Sequence, residues 1–250
     1  MLNPYESSRL LAEYLLFHYG SKEQILRERP GPREALDFPV RCVHELVDRG
    51  RVPAAARALD VGCAVGRSCF ELCAFCPTVI GIDFSHSFIQ AARELKERGE
   101  FSFEMVVEGE ICELARARVP ANLDRRRAQF EVGDATNLPG DLGTFDVVLA
   151  ANLICRLAEP ARFLQQLPAL VTPGGQLLMT TPFTWLEDFT SPSNWLGGRK
   201  RDGVRSFDVL HEILGRDFEL QVAKDLPFLI REHERKFQYG VALGGRWVRR

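Results

Sequence analysis

The first fifty residues carry apolar side chains at the spacing of amphipathic helices. In the first stretch, apolar positions recur every three or four residues, which predicts a helix. These positions are Leu10, Leu11, Tyr14, Leu15 and His18. Asn3, Pro4 and Glu6 offer a cap, a first-turn proline and a capping-box acid, so they predict where this helix begins. Gly20 predicts a left-handed end.

A second amphipathic helix is predicted over residues 39–49, with Gly50 at its end. A loop rich in proline and arginine, residues 27–33, separates the two helices. The chain is therefore expected to form two helices before its first strand. We expect these helices to form a cap, residues 1–55, over the open end of a sheet.

From residue 57 onward the pattern changes to short apolar runs that alternate with helical segments. The runs are residues 58–61, 79–83, 130–132, 145–150 and 176–180. Strands that alternate with helices are typical of parallel βαβ units, so the sequence predicts an open α/β sheet. Residues 172–175, Thr-Pro-Gly-Gly, predict the turn into the last of these strands.

Two further segments complete the predicted architecture. Near the C-terminus, residues 218–223 and 236–248 are apolar runs without a helix between them, so they are expected to pair antiparallel. The connection over residues 101–127 is long, and it predicts an extra strand, residues 101–107, followed by an extra helix, residues 110–118.

Composition narrows the classes of function. The chain has 250 residues, which predicts a single domain. Its 32 Lys and Arg against 34 Asp and Glu argue against a nucleic-acid partner bound through bulk positive charge. The N-terminus lacks a signal-peptide pattern, and no apolar run is long enough to cross a membrane, so no membrane partner is expected. The seven cysteines are then expected to be free thiols in the cytoplasm.

The strongest chemical signal is Asp60-Val61-Gly62-Cys63-Ala64-Val65-Gly66, between a predicted strand and a predicted helix. A glycine such as Gly62 lets the backbone turn tightly and approach a ligand, and Gly66 lies at the start of the following helix. Asp83 ends the next predicted strand, where an acid can accept hydrogen bonds from the two hydroxyls of a ribose. The combination predicts a nucleoside-binding crevice.

The details of this turn favour one nucleoside cofactor over another. A dinucleotide fingerprint requires a glycine where this chain has Ala64. Asp60 would repel a pyrophosphate, whereas it suits a ligand that carries an ammonium and a sulfonium centre. We therefore expect S-adenosylmethionine rather than NAD, with S-adenosylhomocysteine as its product. Cys63 lies within the turn and is expected to be among the residues that contact the cofactor.

Two later segments strengthen this expectation. Gly133-Asp134-Ala135 follows a predicted strand and places an acid where it can accept a hydrogen bond from the adenine amine. The run Phe145-Asp146-Val147-Val148-Leu149-Ala150-Ala151-Asn152-Leu153 ends in small residues and an amide, suited to the reacting end of a cofactor.

This order of motifs resembles the class I S-adenosylmethionine-dependent methyltransferases over residues 56–182, which would be the core of a catalytic unit spanning residues 56–250. The resemblance implies a Rossmann-like, mostly parallel seven-stranded sheet with a terminal antiparallel strand. It also implies roles at the cofactor. Asp60, Gly62 and Gly66 would surround its methionine end, Asp83 would hold the ribose, Phe84 would pack near the adenine, and Asp134 with Ala135 would recognise the adenine edge.

A narrower resemblance, to the methyltransferase of ovothiol biosynthesis, spans nearly the whole chain. Its motifs are residues 14–20 (YLLFHYG), 62–68 (GCAVGRS), 81–88 (GIDFSHSF), 151–157 (ANLICRL) and 194–198 (NWLGG). It implies methylation of the π ring nitrogen of 5-thiohistidine to give ovothiol A. That family often forms the C-terminal domain of 5-histidylcysteine sulfoxide synthase, so a separate sulfoxide synthase would be a functional partner.

The methyl donor is a strong electrophile and a neutral imidazole is a nucleophile, so alignment and exclusion of water matter more than a strong base. The candidate residues for the reacting group are Asn152, Tyr14 and His18, and those for the substrate are Tyr19, Arg156, Trp185 and Trp195. Arg156 is the candidate for a carboxylate. Metal binding is not expected, because Cys73 and Cys76 lack a second pair of ligands.

Other interpretations stay open at this point. His18, Trp185 and Trp195 can equally be packing residues, and Asp134 can be a helix cap. The same fold can methylate another small imidazole or amino acid, or the chain can be a non-catalytic protein that binds adenosylmethionine. A nicotinamide-dependent oxidoreductase is the remaining alternative.

Overall fold

Five parallel strands form the centre of the protein in the computed structural model, which describes residues 4–200 and 202–250. The strands are β1 (Arg57–Val61), β2 (Thr78–Asp83), β3 (Glu100–Glu108), β4 (Ile111–Arg118), β5 (Ala128–Val132), β6 (Phe145–Ala151), β7 (Val171–Thr181), β8 (Phe218–His233) and β9 (Lys236–Arg249). The main sheet has the order β5-β2-β1-β6-β7-β9-β8, in which β9 runs antiparallel to both of its neighbours. This is the Rossmann-like, mostly parallel seven-stranded sheet that the sequence predicted.

Helices cover the two faces of this sheet. They are α1 (Ser8–Tyr19), α2 (Lys22–Ile25), α3 (Phe38–His44), α4 (Arg67–Leu72), α5 (His86–Arg98), α6 (Pro160–Leu170) and α7 (Ser206–Leu214). Side chains along a strand alternate between the faces, so Ala58 joins the core beneath α1, α3, α4 and α5, whereas Leu59 and Val61 join the core beneath α6 and α7. The strands are therefore buried on both sides, and in open α/β sheets of this kind ligands bind at the carboxyl ends of the strands.

The N-terminal helices differ in their boundaries from the prediction. Ser7 caps α1 by accepting a hydrogen bond from the Leu10 amide, after a 3₁₀ turn at Pro4–Glu6, and the predicted cap Asn3 lies outside the described residues. Gly20 ends α1 in an extended conformation, with φ −66°, rather than a left-handed one. The predicted helix over residues 39–49 is shorter, because the chain leaves the helix after α3 and makes a 3₁₀ turn at Arg49–Arg51.

The long connection after α5 forms a β-hairpin. The strand expected at residues 101–107 is present as β3, but the helix expected at residues 110–118 is wrong, because these residues form β4 and pair antiparallel with β3. Ala115 and Ala117 are buried while their neighbours are exposed, which is the period of two of a strand. The hairpin lies outside the main sheet and packs on α1 and β8.

Arg231 of β8 joins three of these elements. Its side chain is 2% exposed, and its guanidinium donates hydrogen bonds to the carbonyl oxygens of Gln24 in α2 and Val106 in β3. It also lies 3.4 Å from the sulfur of Met105. The buried charge therefore ties the hairpin, α2 and β8 together.

The C-terminal pair is antiparallel, as predicted, and both strands are longer than the apolar runs suggested. The predicted turn at residues 172–175 lies within β7, where Gly174 has φ +78° and the register with β6 shifts. No helix among residues 4–200 and 202–250 has the length and apolar character to cross a membrane.

Candidate functional site

The loop after β1 curls back on itself at the carboxyl edge of the sheet. Gly62, Ala64 and Gly66 all have positive φ, at +77°, +46° and +83°. A side chain at Gly66 would clash, because its Cβ would lie 2.7 Å from the ring of Phe130. Ala64 occupies the left-handed conformation that the missing middle glycine of the fingerprint would adopt freely, at a cost of about 1–2 kcal/mol. The turn is thus preserved despite the alanine.

Asp83 is held by the backbone of this loop. Its two carboxylate oxygens accept hydrogen bonds from the amides of Ala64 and Ser85, each at 2.9 Å. Burial raises the pKa of Asp83, and these two amides oppose the rise. An ionised carboxylate has about four acceptor positions, so two remain for a ligand. The carboxylate is therefore oriented before any ligand binds.

Beside the loop, one buried acceptor atom and one buried donor atom have no hydrogen-bond partner among the described residues. One is the Oδ1 atom of Asp60, whose Oδ2 atom accepts hydrogen bonds from Ser68 and Cys69. The other is the Nε atom of Arg67, whose terminal nitrogen pairs with Glu71 at 2.7 Å. A buried polar atom without a partner is costly, so the pair suits a ligand that carries both an ammonium and a carboxylate.

The carboxyl group of Asp60 should make protein stability depend on pH. Burial raises its pKa from 3.8 to about 6, although the hydrogen bonds from Ser68 and Cys69 lower it in part. Because the folded protein then binds the proton more tightly than the unfolded chain, stability should increase as the pH falls through 6. We expect the free energy of unfolding of the wild type, relative to Asp60→Asn, to rise by about 1 kcal/mol between pH 7.5 and pH 5.

Urea unfolding of both proteins at several pH values measures this difference. The Asp60→Asn variant is the matched control, since it keeps the size of the side chain and cannot take up the proton. A difference that stays constant or falls over this pH range would contradict a raised pKa.

The residues expected at the adenine lie at the ends of β2 and β5. The ring of Phe84 is 63% exposed although it is a large apolar group. Asp134 is exposed and accepts hydrogen bonds from the backbone amide and hydroxyl of Thr136, while Ala135 is buried. Asp134 thus begins a 3₁₀ turn, and its role toward adenine stays a prediction.

The end of β6 holds Ala151 and Asn152, both partly buried. Asn152 has φ +51°, a conformation that non-glycine residues adopt at some cost. Its side-chain oxygen accepts a hydrogen bond from the Thr180 hydroxyl at 3.0 Å. This contact fixes the amide, and its nitrogen atom makes no hydrogen bond to the described residues.

Four aromatic rings form what we call the aromatic chamber, defined by Tyr5, Tyr14, Phe88 and Phe189. Tyr5 is central, with ring centroids 5.9 Å from Tyr14, 5.8 Å from Phe88 and 6.1 Å from Phe189. Tyr14 also lies 4.8 Å from Phe88. Sequence reasoning selected Tyr14 but used the Pro4–Glu6 turn only as a helix start, so Tyr5 was missed. Tyr5 is far along the sequence from Phe88 and Phe189, so no local pattern indicated that it contacts them.

Arg156 borders the aromatic chamber, with its guanidinium 4.9 Å from the centre of the Phe189 ring. One terminal nitrogen donates hydrogen bonds to the carbonyl oxygens of Cys155 and Thr184. None of the described carboxylates forms an ion pair with it. A partly buried guanidinium beside aromatic rings and without a counter-ion is suited to an anionic ligand.

The other predicted residues have partners within the protein. Tyr19 donates its hydroxyl to the carbonyl oxygen of Val65, and the Cys63 thiol is buried in the loop, with its pKa raised by burial to about 11. Trp185 and Trp195 stack on each other at 6.4 Å in the segment after β7, and their indole nitrogens donate to Ser206 and Thr190. Their roles toward a substrate stay predictions.

His18 is buried near Tyr14, and its ring remains neutral. Burial, together with the nearby Arg67 charge, lowers the pKa of His18 to about 3. Burial also raises the pKa of Tyr5 and Tyr14. The aromatic chamber therefore offers neutral side chains rather than a strong base.

Comparison with known proteins gives a family match and several distant relatives. The model of a family described as a methyltransferase domain matches residues 29–217. The chain is 25% identical over 173 residues to norajmaline N-methyltransferase of Rauvolfia serpentina, covering 68% of this chain and 51% of that protein. It is 27% identical over 128 residues to a ubiquinone biosynthesis O-methyltransferase of Nitrobacter winogradskyi, covering 51% of this chain and 39% of that protein. The chain thus spans about half of the first relative's length and 39% of the second's.

Among solved structures, the fold resembles the N-methyltransferase NodS from Bradyrhizobium japonicum in complex with S-adenosyl-L-homocysteine. The TM-score is 0.52 at 15% identity, and the match covers 96% of this chain and 98% of that chain. YcgJ from Bacillus subtilis matches with a TM-score of 0.52 at 12% identity, and the match covers 84% of this chain and 96% of that chain. These similarities concern the fold.

Proposed function

Because this chain belongs to the methyltransferase-domain family, we propose that it transfers a methyl group from S-adenosylmethionine to a nitrogen atom of a small molecule. The residues at the loop fit this cofactor. Asp60 has a buried oxygen atom for its ammonium, and Arg67 has a buried nitrogen atom for its carboxylate. Asp83 has free acceptor positions for the ribose hydroxyls, and the exposed ring of Phe84 offers a surface to the adenine.

A nitrogen acceptor is supported by the titratable side chains described at the aromatic chamber, since Tyr5, Tyr14 and the neighbouring His18 are poor bases. When bound, S-adenosylmethionine supplies an electrophilic methyl group on a sulfonium. The neutral His18 and the two tyrosines with raised pKa values are poorly suited to deprotonating a hydroxyl group. A neutral imidazole nitrogen reacts through its own lone pair, so the residues need only orient the acceptor and exclude water.

We propose 5-thiohistidine as the acceptor, methylated on its π nitrogen to give ovothiol A. The Arg156 guanidinium carries this proposal, because it forms no ion pair with the described carboxylates and suits the carboxylate of an amino acid. The rings of Tyr5 and Tyr14 suit the flat face of an imidazole. The motif similarity over residues 14–20, 62–68, 81–88, 151–157 and 194–198 supports the same substrate.

The proposed substrate implies a partner and a compartment. A separate sulfoxide synthase would supply the thiolated histidine, as the motif similarity suggests. All seven cysteines are unpaired, which is common in proteins of the reducing cytoplasm. We therefore propose that the protein acts there on a small molecule, without a nucleic-acid or membrane partner, as a single domain whose first 55 residues cap the catalytic core.

Incubation of the purified protein with 5-thiohistidine and S-adenosylmethionine tests the substrate. We expect a product heavier by one methyl group, and NMR should place that group on the π nitrogen. Histidine without the thiol is the control acceptor and should react more slowly. If S-adenosylhomocysteine binds but no methylated product forms, this acceptor is wrong; if it does not bind, methyl transfer itself is wrong.

A further inference from the structure

The N-terminal turn Pro4–Glu6, which we call the strap, is bound to the start of α5. The carboxylate of Glu6 accepts hydrogen bonds from the backbone amides of His86 at 2.9 Å and Ser87 at 3.2 Å. These amides belong to the first turn of a 13-residue helix, where an anion is stabilised by the helix dipole. Despite some burial, the bonds from Ser87 and His86 lower the pKa of Glu6, so it stays ionised at neutral pH.

The backbone of the strap makes two further hydrogen bonds to the same segment. The carbonyl oxygen of Tyr5 accepts from the hydroxyls of Ser85 at 3.1 Å and Ser87 at 3.0 Å. Four hydrogen bonds therefore fasten the strap to residues 85–87. This segment directly follows Asp83 and Phe84, which are the proposed ribose and adenine contacts.

The side chain of Tyr5 points from the strap into the aromatic chamber. Its ring and the Arg156 guanidinium both contact the ring of Phe189, at 6.1 Å and 4.9 Å from its centre. Burial raises the pKa of the Tyr5 hydroxyl, and the nearby Arg156 and Tyr14 side chains oppose that rise. Tyr5 thus connects the segment beside the cofactor site to the guanidinium that we assign to the acceptor. The two hydrogen bonds of Arg156 to carbonyl oxygens use the same terminal nitrogen, so the other guanidinium nitrogens are left for a partner such as this hydroxyl.

We propose that Tyr5 is a positioning residue that orients Arg156 toward the acceptor carboxylate, and that the strap holds Tyr5 there through residues 85–87. The inference rests on the proposed function for the identity of the acceptor. It adds to that function a structural link, because the acceptor site then depends on residues 85–87, which follow the proposed ribose contact Asp83.

Two variants test this proposal in the full chain. Tyr5→Phe removes the hydroxyl and keeps the ring, so KM for 5-thiohistidine should rise about tenfold, with kcat and the affinity for S-adenosylhomocysteine changed by less than about twofold. Glu6→Ala releases the strap, so KM should rise similarly and the amide protons of His86 and Ser87 should exchange about tenfold faster. Glu6→Gln keeps the length of the side chain without its charge and should have an intermediate effect.

The matched controls are Tyr239→Phe, an exposed tyrosine of β9, and Glu110→Ala, an exposed residue between β3 and β4. Both should leave KM and the exchange rates unchanged. Thermal unfolding identifies variants that fail to fold.

A second readout keeps this inference separate from the identity of the acceptor. The side-chain Nε–H proton of Arg156, followed by NMR in the protein with S-adenosylhomocysteine, should exchange at least threefold faster in Tyr5→Phe, because the guanidinium loses a hydrogen-bond partner. If 5-thiohistidine is not methylated, the proposed substrate fails, while faster Arg156 exchange still supports the positioning role. Unchanged Arg156 exchange in Tyr5→Phe overturns it, as does an unchanged KM where the substrate reacts.

Discussion

Replacing Asp83 with alanine is expected to weaken the binding of S-adenosylhomocysteine about a hundredfold, the equivalent of one or two charge-assisted hydrogen bonds. The carboxylate has two tasks in the structure. It offers free acceptor positions at the carboxyl end of β2, and it holds the loop after β1 through the amide of Ala64. The variant loses both, since the Ala64 and Ser85 amides no longer share an acceptor. Isothermal titration calorimetry measures the affinity directly.

Asp141→Ala is the control for this experiment, because Asp141 is exposed and lies outside the site. Its affinity for S-adenosylhomocysteine should equal that of the wild type. Circular dichroism and thermal unfolding establish whether Asp83→Ala is folded. A folded variant that binds S-adenosylhomocysteine as tightly as the wild type would remove Asp83 from the cofactor site.

Replacing Arg156 with alanine is expected to lower kcat/KM for 5-thiohistidine by about a hundredfold to a thousandfold. The guanidinium is the group that we assign to the acceptor carboxylate, and alanine leaves that carboxylate unpaired beside aromatic rings. Most of the change should appear in KM, and the affinity for S-adenosylhomocysteine should not change. Arg156→Lys should recover part of the loss, because lysine keeps the charge without the planar fork.

A decarboxylated acceptor makes the assignment of Arg156 more specific. Thiolated histamine lacks the carboxylate, so its slow methylation should be nearly the same in the wild type and in Arg156→Ala. Arg162→Ala provides a matched arginine control, since Arg162 is exposed on α6 and pairs only with Glu159 among the described acids. An equal loss with both acceptors would show that Arg156 supports the fold rather than the carboxylate.

The sequence predicted the parallel strands well because burial on both faces gives each one a short, continuous apolar run. It failed at β4, residues Ile111–Arg118, which contain Glu, Leu, Ala and Arg and therefore favour a helix locally. Pairing with β3 overrides that preference, and only the burial of Ala115 and Ala117 reveals the alternation. The helix ends were also displaced, because tertiary contacts decide where a marginal helix stops.

Within the site, the sequence located the groups that lie at strand ends, such as Asp60 and Asp83, because their distance from a strand is fixed by the fold. It did not locate contacts between distant segments. Tyr5 reaches Phe189 and Arg156 across more than 150 residues of chain, and no local pattern indicates such a pair. Glu6, expected to cap its own helix, instead contacts the amides of α5.

The β3–β4 hairpin adds no strand to the main sheet, which by itself would make it a dispensable addition to the fold. Arg231 argues otherwise. Its guanidinium is buried against the carbonyl oxygen of Val106 and the sulfur of Met105, both in the hairpin. A related protein that lacked the hairpin but kept Arg231 would leave the guanidinium without its acceptors in Met105 and Val106. A buried charge that loses its partners is destabilising. The hairpin and Arg231 are therefore expected to be inherited, or replaced, together.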